Sequence, residues 1–159
     1  MVLTPDQQAD RHEKAAEAHN DWADKCLTAA DERRQLALRN SGRSHPGQDR
    51  AQCAASRAWT AAGDAHFAAA DAHIAAEACN RGCDEHDVET TELAEQASRL
   101  AKAAHEAALK ASNAATGPNS RSQDIGWVGD EAEAEEAAIE AAIRAQEASE
   151  AATTCEQGR

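Results

Sequence analysis

Alanine makes up about a quarter of this chain, while Leu, Ile, Val and Phe together supply under a tenth. That ratio limits the possible folds more than any motif does. Alanine enters a helix without losing side-chain entropy and is the strongest helix former. Its methyl group buries little area, so each contact contributes little hydrophobic stabilisation. The chain is therefore directed strongly toward helix and only weakly toward one packing. No segment carries the alternating Val/Ile/Thr pattern of a strand. The expected fold class is all-α: an alanine-rich antiparallel four-helix bundle, or two packed helical hairpins, in a single domain over residues 1–159.

Gly, Pro and capping residues divide the chain into helices at about 5–39, 48–80, 87–115 and 130–154. Thr4 can cap the first, Pro5 suits its first turn, and Asp6 complements the positive end of its dipole. Asn40-Ser41-Gly42 stops that helix, Arg81-Gly82 the second, and Thr116-Gly117-Pro118 the third. An irregular loop is expected over 116–129, with Ile125, Trp127 and Val128 closing one end of the bundle or anchoring a partner. Short links favour antiparallel neighbours. Folding the first hairpin about residue 45 brings residues level when their numbers sum to about 90.

The net charge of -13 is uneven, with ten acidic against two basic residues in 124–159. Like charges repel, so direct contact with nucleic-acid phosphates or an anionic lipid surface is disfavoured, and a basic protein partner is permitted. No apolar run approaches the length of a membrane span. Five scattered cysteines, an odd number, fit a reducing cytoplasmic location. The sequence has no nucleophile elbow, no phosphate-binding P-loop and no Gly-rich dinucleotide loop, so a non-enzymatic role is expected.

His and Cys fall in stripes. His12, His19 and Cys26 are spaced by seven along the first helix, and Trp59, His66 and His73 along the second. Seven residues are nearly two helical turns, so each set lies along one face. At the expected register, His12 meets Cys79, His19 meets Asp71 and His73, and Cys26 meets Asp64 and His66. Trp22 falls beside Phe67. Two metal sites then become possible. Cys79-x3-Cys83-x2-His86 could join His12 around zinc, which takes four N or S ligands. His19, Asp71 and His73, with the layer of Cys26, His66 and Asp64 below, would suit zinc, copper, nickel or iron. His66-x4-Asp71 is similar to one fragment of a hemerythrin ligand set, but the other His pairs of that set are absent. The same residues could instead be packing groups that hydrogen-bond to neighbours. His45 and His105 are expected at the surface.

Two short motifs bear on family. Gly126-Trp127-Val128-Gly129 resembles the Trp-x-Gly turn of small secreted helical-hairpin proteins of the WXG type, over residues 90–154. The resemblance implies a hairpin turning at Trp127. The family's Tyr-based export signal is missing, because the chain has no Tyr. Trp59-x2-Ala62-Gly63-x2-His66 resembles the opening of a tetratricopeptide repeat, but Ala68-Ala69-Ala70 continues the helix where that repeat would turn.

Three functions follow as expectations. The first is a non-enzymatic assembly protein that presents long helix faces to copies of itself or to a protein partner. The second is a metal-binding bundle built on the His/Cys stripes, with a transition metal such as zinc as cofactor. The third is an acidic inhibitor that covers the basic surface of a nucleic-acid-binding protein.

Overall fold

A computed structural model describes residues 2–40, 46–82, 87–116 and 124–157. It contains four helices, α1 (Pro5–Asn40), α2 (Pro46–Gly82), α3 (Asp87–Thr116) and α4 (Asp124–Gln157). No strand occurs among the described residues. The all-α bundle expected from alanine is the fold found.

Helix α1 begins with a capping box. Thr4 Oγ1 accepts from Gln7 N at 3.3 Å, and Gln7 Oε1 accepts from Thr4 N at 3.0 Å. Helix α2 runs unbroken through Ala68–Ala70. Helix α4 departs from expectation, since it starts at Asp124 rather than at residue 130. Ile125, Trp127 and Val128 therefore lie within its first turns and not in a loop. A Trp-x-Gly hairpin turn at Trp127 is thereby corrected. Gly126 and Gly129 suggested a break, but each costs a helix only about 1 kcal/mol, which a helix of this length absorbs. The side chains of 125, 127 and 128 lie outside the described residues, as do residues 41–45 with His45, so the end-plug and anchor roles have no structural description.

The helices run up, down, up, down. His73 meets Ser98 and Gln52 meets the carbonyl of Ala115, so α2 and α3 are antiparallel. Arg57 pairs with Glu131, which sets α4 parallel to α2. α2 and α3 form the middle pair. α1 packs into one side of that pair, α4 packs into the other, and α2 touches all three neighbours.

The two sides differ in chemistry. The α2–α3–α4 side is lined by alanine: Ala94, Ala97, Ala101, Ala104 and Ala108 of α3, with Ala134, Ala141 and Ala148 of α4, are fully buried. Spacings of three and four in α3 and of seven in α4 keep these methyls on one face of each helix. The bulky side chains lie outside instead. Ile139 is 64% exposed, Ile143 48% and Leu38 61%. On the α1–α2 side, Gly63 lies against α1. A Cβ built on it would stand 3.1 Å from Leu27 Cδ2 and 3.2 Å from Leu27 Cγ.

Candidate metal centre

The α1–α2–α3 side is a polar column built on three heptad stripes. α1 supplies His12, His19, Cys26 and Arg33. α2 supplies Gln52, Trp59, His66, His73 and Asn80. α3 supplies Thr91, Ser98, His105 and Ser112. Paired residues of α1 and α2 sum to 85, and those of α1 and α3 differ by 79. His12 Nδ1 lies 2.8 Å from His73 Nδ1, and His12 Nε2 lies 3.0 Å from Thr91 Oγ1. One heptad along, His19 Nδ1 lies 2.8 Å from His66 Nδ1, and His19 Nε2 lies 2.8 Å from Ser98 Oγ. Ser98 Oγ also meets His73 Nε2 at 2.8 Å, which joins the two layers. Cys26 Sγ faces His105 Nδ1 at 3.5 Å in the third layer. Arg33 donates to Gln52 Oε1 at 3.3 Å in the fourth.

This register corrects the expected pairings. Level residues sum to 85 and not to about 90. The shift of about one helical turn moves His12 from Cys79 to His73, and His19 from Asp71 to His66. Trp22 stacks toward His66 at 6.3 Å between centroids, rather than meeting Phe67. Asp71 is exposed and takes no part in the column. Cys79 is buried on α2, while Cys83 and His86 lie outside the described residues. His105, expected at the surface, is half-buried inside the cluster.

One group among the described residues has metal-binding geometry. Ligand atoms of Cys26, His66 and His105 all lie within 4.8 Å of one another. These residues come from α1, α2 and α3, so the site exists only when all three helices are docked. The 3.5 Å between Cys26 Sγ and His105 Nδ1 matches the separation of about 3.6 Å that a tetrahedral zinc imposes, given bonds of about 2.3 Å to sulfur and 2.1 Å to nitrogen. His66 is only 3% exposed, and its Nε2 has no hydrogen-bond partner. A buried polar atom left unpaired costs about 1–3 kcal/mol, which a bound ion would offset. Of the residues weighed as metal ligands from sequence, His66 and Cys26 belong to this group, whereas its third member, His105, was expected at the surface.

The surroundings set protonation states suited to ligation. Burial first, and then the nearby His19 and His105, lower the pKa of His66 from 6.5 to about 4. Burial also lowers His105, although Glu106 opposes the shift. Both imidazoles are thus neutral near pH 7 and keep a lone pair for a metal. Burial pushes the Cys26 thiol up to about 11, so binding must displace its proton. Two indoles enclose the site. Trp22 and Trp59 each present an edge-to-face contact to His105, with centroids 5.1 Å apart. A groove of about 480 Å³ reaches His66 and His105 from outside, between Trp22, Lys102 and Glu106. It connects two of the three residues, His66 and His105, to solvent.

The sequence reading missed the α3 stripe. Thr91, Ser98, His105 and Ser112 carry the same spacing of seven, and that spacing was the available signal. The chain matches no protein-family model, and no curated protein or solved structure matches it either.

Proposed function

We propose that this protein is a helical bundle that holds one transition-metal ion at Cys26, His66 and His105. The observation that carries the reading is a buried, unpartnered ring nitrogen on His66, a residue that offers a ligand atom within 4.8 Å of those of a thiol and a second imidazole. A thiolate with two imidazoles suits soft to borderline ions, copper(I) and zinc above all. Copper(I) with one thiolate leaves the site neutral, whereas zinc leaves it at +1. Burial penalises the surplus charge, so copper(I) is the better match of the two. No helix among the described residues is long and apolar enough to cross a membrane.

Native mass spectrometry of reduced protein with zinc(II), and separately with copper(I) under anaerobic conditions, tests this. One tightly held ion per chain is expected for each. A hundredfold excess of free ion over Kd raises stability by about 2.7 kcal/mol. Cys26→Ala and His105→Ala should each abolish the high-affinity site. Wild-type binding that survives in both variants would remove the proposal.

Assembly is a second reading, and the position of the large side chains favours it. Phe67, Ile74, Ile139 and Ile143 are exposed while alanines fill the interior. A groove of about 700 Å³ between α2 and α4 includes Phe67, Ile74 and Ala145. Exposed apolar surface of this kind marks protein contacts. Sedimentation equilibrium should show an oligomer that Ile139→Ser with Ile143→Ser dissociates. A wild-type monomer at micromolar concentration would exclude this reading.

A further inference from the structure

We infer that the exposed stripe of α2 pairs antiparallel with the same stripe of a second copy of this chain, about a two-fold axis beside Thr60. This pairing rests on the self-association proposed above from the exposed large side chains.

Because α2 is packed by all three other helices, only a narrow strip of it meets solvent. α1 and α4 flank that strip and leave it open. Its exposed residues step by three and four along the helix, as Arg57, Thr60, Asp64, Phe67, Asp71 and Ile74. Alternating steps of three and four make the seam of a coiled coil, a surface that fits another helix. The charges on this seam are segregated by sign. Arg50 and Arg57 occupy one half and Asp64 and Asp71 the other, all four spaced by seven. Among the described residues, Arg50, Asp64 and Asp71 form no ion pair. Arg57 holds Glu131 through Nε and Nη2, yet more than half of its side chain stays exposed.

A two-fold contact brings residue i against j and j against i. The numbers 50 and 71, and 57 and 64, both sum to 121. An antiparallel copy at that register sets Arg50 opposite Asp71 and Arg57 opposite Asp64, twice each, and opposes no like charges along the seam. A shift of one heptad sets Arg57 against itself in one direction and Asp64 against itself in the other. A parallel copy in register sets every charge against its like. The sign pattern therefore selects one orientation and one register. At that register Phe67 comes level with Cys53 and Ala54 of the second copy, in the hole between its Arg50 and Arg57. The arginine stems cover the ring, and their guanidinium groups suit its face. The net charge of -13 opposes any meeting of two copies. That repulsion is screened beyond about 8 Å at physiological ionic strength, whereas the seam pairs are in contact.

Sedimentation equilibrium of the full chain at micromolar concentration, with native mass spectrometry for mixtures, tests the pairing. Wild type should associate. Arg50→Glu with Arg57→Glu makes the seam acidic throughout, and Asp64→Arg with Asp71→Arg makes it basic throughout. Each variant alone should associate about a hundredfold more weakly, because four pairs per contact become repulsive. Mixing the two should give a one-to-one complex with wild-type affinity, since every pair is again opposite in sign. Arg50→Glu alone, which leaves Arg57 on Glu131, replaces the double variant should that one fail to fold. Equal association of wild type and both variants overturns this pairing and leaves self-association standing. Variants that weaken but do not recover on mixing overturn it as well. A monomeric wild type overturns both.

Discussion

The clearest energetic consequence of the polar column is a loss of stability on mild acidification. His73 sits 6% exposed between His12, His19 and Ser98, and its pKa falls from 6.5 to about 4, through burial first and then the charges of His12 and His19. In the unfolded chain it takes up a proton near pH 6.5, and in the folded chain it does so only near 4. The unfolded state therefore binds more protons in that window, and stability falls as pH falls. The contribution is fully present above about pH 6.5 and is gone below about pH 4. Each pKa unit is worth about 1.36 kcal/mol, so this histidine alone removes about 3 kcal/mol across the window. His73→Gln keeps an amide that can bond His12 and Ser98 but cannot titrate. Urea unfolding followed by far-UV circular dichroism, with chelator present, should be run on both proteins from pH 7.5 to 4. Carboxylates titrate alike in both and cancel in the difference. The gap in unfolding free energy between wild type and variant should move by about 3 kcal/mol in favour of the variant as pH falls. Curves that stay parallel from pH 7 to 4.5 would refute the claim that His73 is neutral and buried.

Two further substitutions probe the packing. Gly63→Ala gains about 1 kcal/mol of helix propensity. Its new methyl must displace Leu27 by a few tenths of an ångström, and Leu27, 37% exposed, can turn toward solvent. A net gain of about 0.5 kcal/mol in thermal unfolding is expected, and a loss above about 1 kcal/mol would show α1 to be locked more tightly than its exposure implies. Trp59→Phe removes a buried indole N–H that has no partner and keeps a ring against His105. Chemical denaturation should place it within about 1 kcal/mol of wild type, whereas a loss of the 3–5 kcal/mol typical of deleting a buried Trp would mean that the N–H has a partner after all.

Alanine makes the four helices legible in the sequence, and the spacing of seven marks two of the three stripes. The pairing of those stripes was not legible. A turn of uncertain length sets the pivot, and a shift of five residues exchanges one His partner for another of similar chemistry. Alanine faces add no large knob that would admit a single register. The third stripe was hidden for a different reason. Thr91, Ser98 and Ser112 are residue types usually found on helix surfaces, and only their alignment with His105 distinguishes them. Helix α4 was shortened because Gly126 and Gly129 read as breakers, although neither outweighs the helix around them. The Cys26–His66–His105 group draws on three helices, so it could not be assembled until the α1–α2 and α1–α3 offsets were known.

The alanine-lined half of the bundle also shapes how stability responds to temperature. The heat capacity of unfolding grows with the apolar surface newly exposed to water, at about 12–15 cal/mol/K per residue in ordinary domains. Here the side chains released from the interior are mostly single methyl groups, while isoleucines such as Ile139 and Ile143 already face solvent in the monomer. Their hydration changes little on unfolding. The heat-capacity increment of the isolated chain should therefore fall below the ordinary range, giving a shallow stability curve that loses little on chilling and declines gradually on warming.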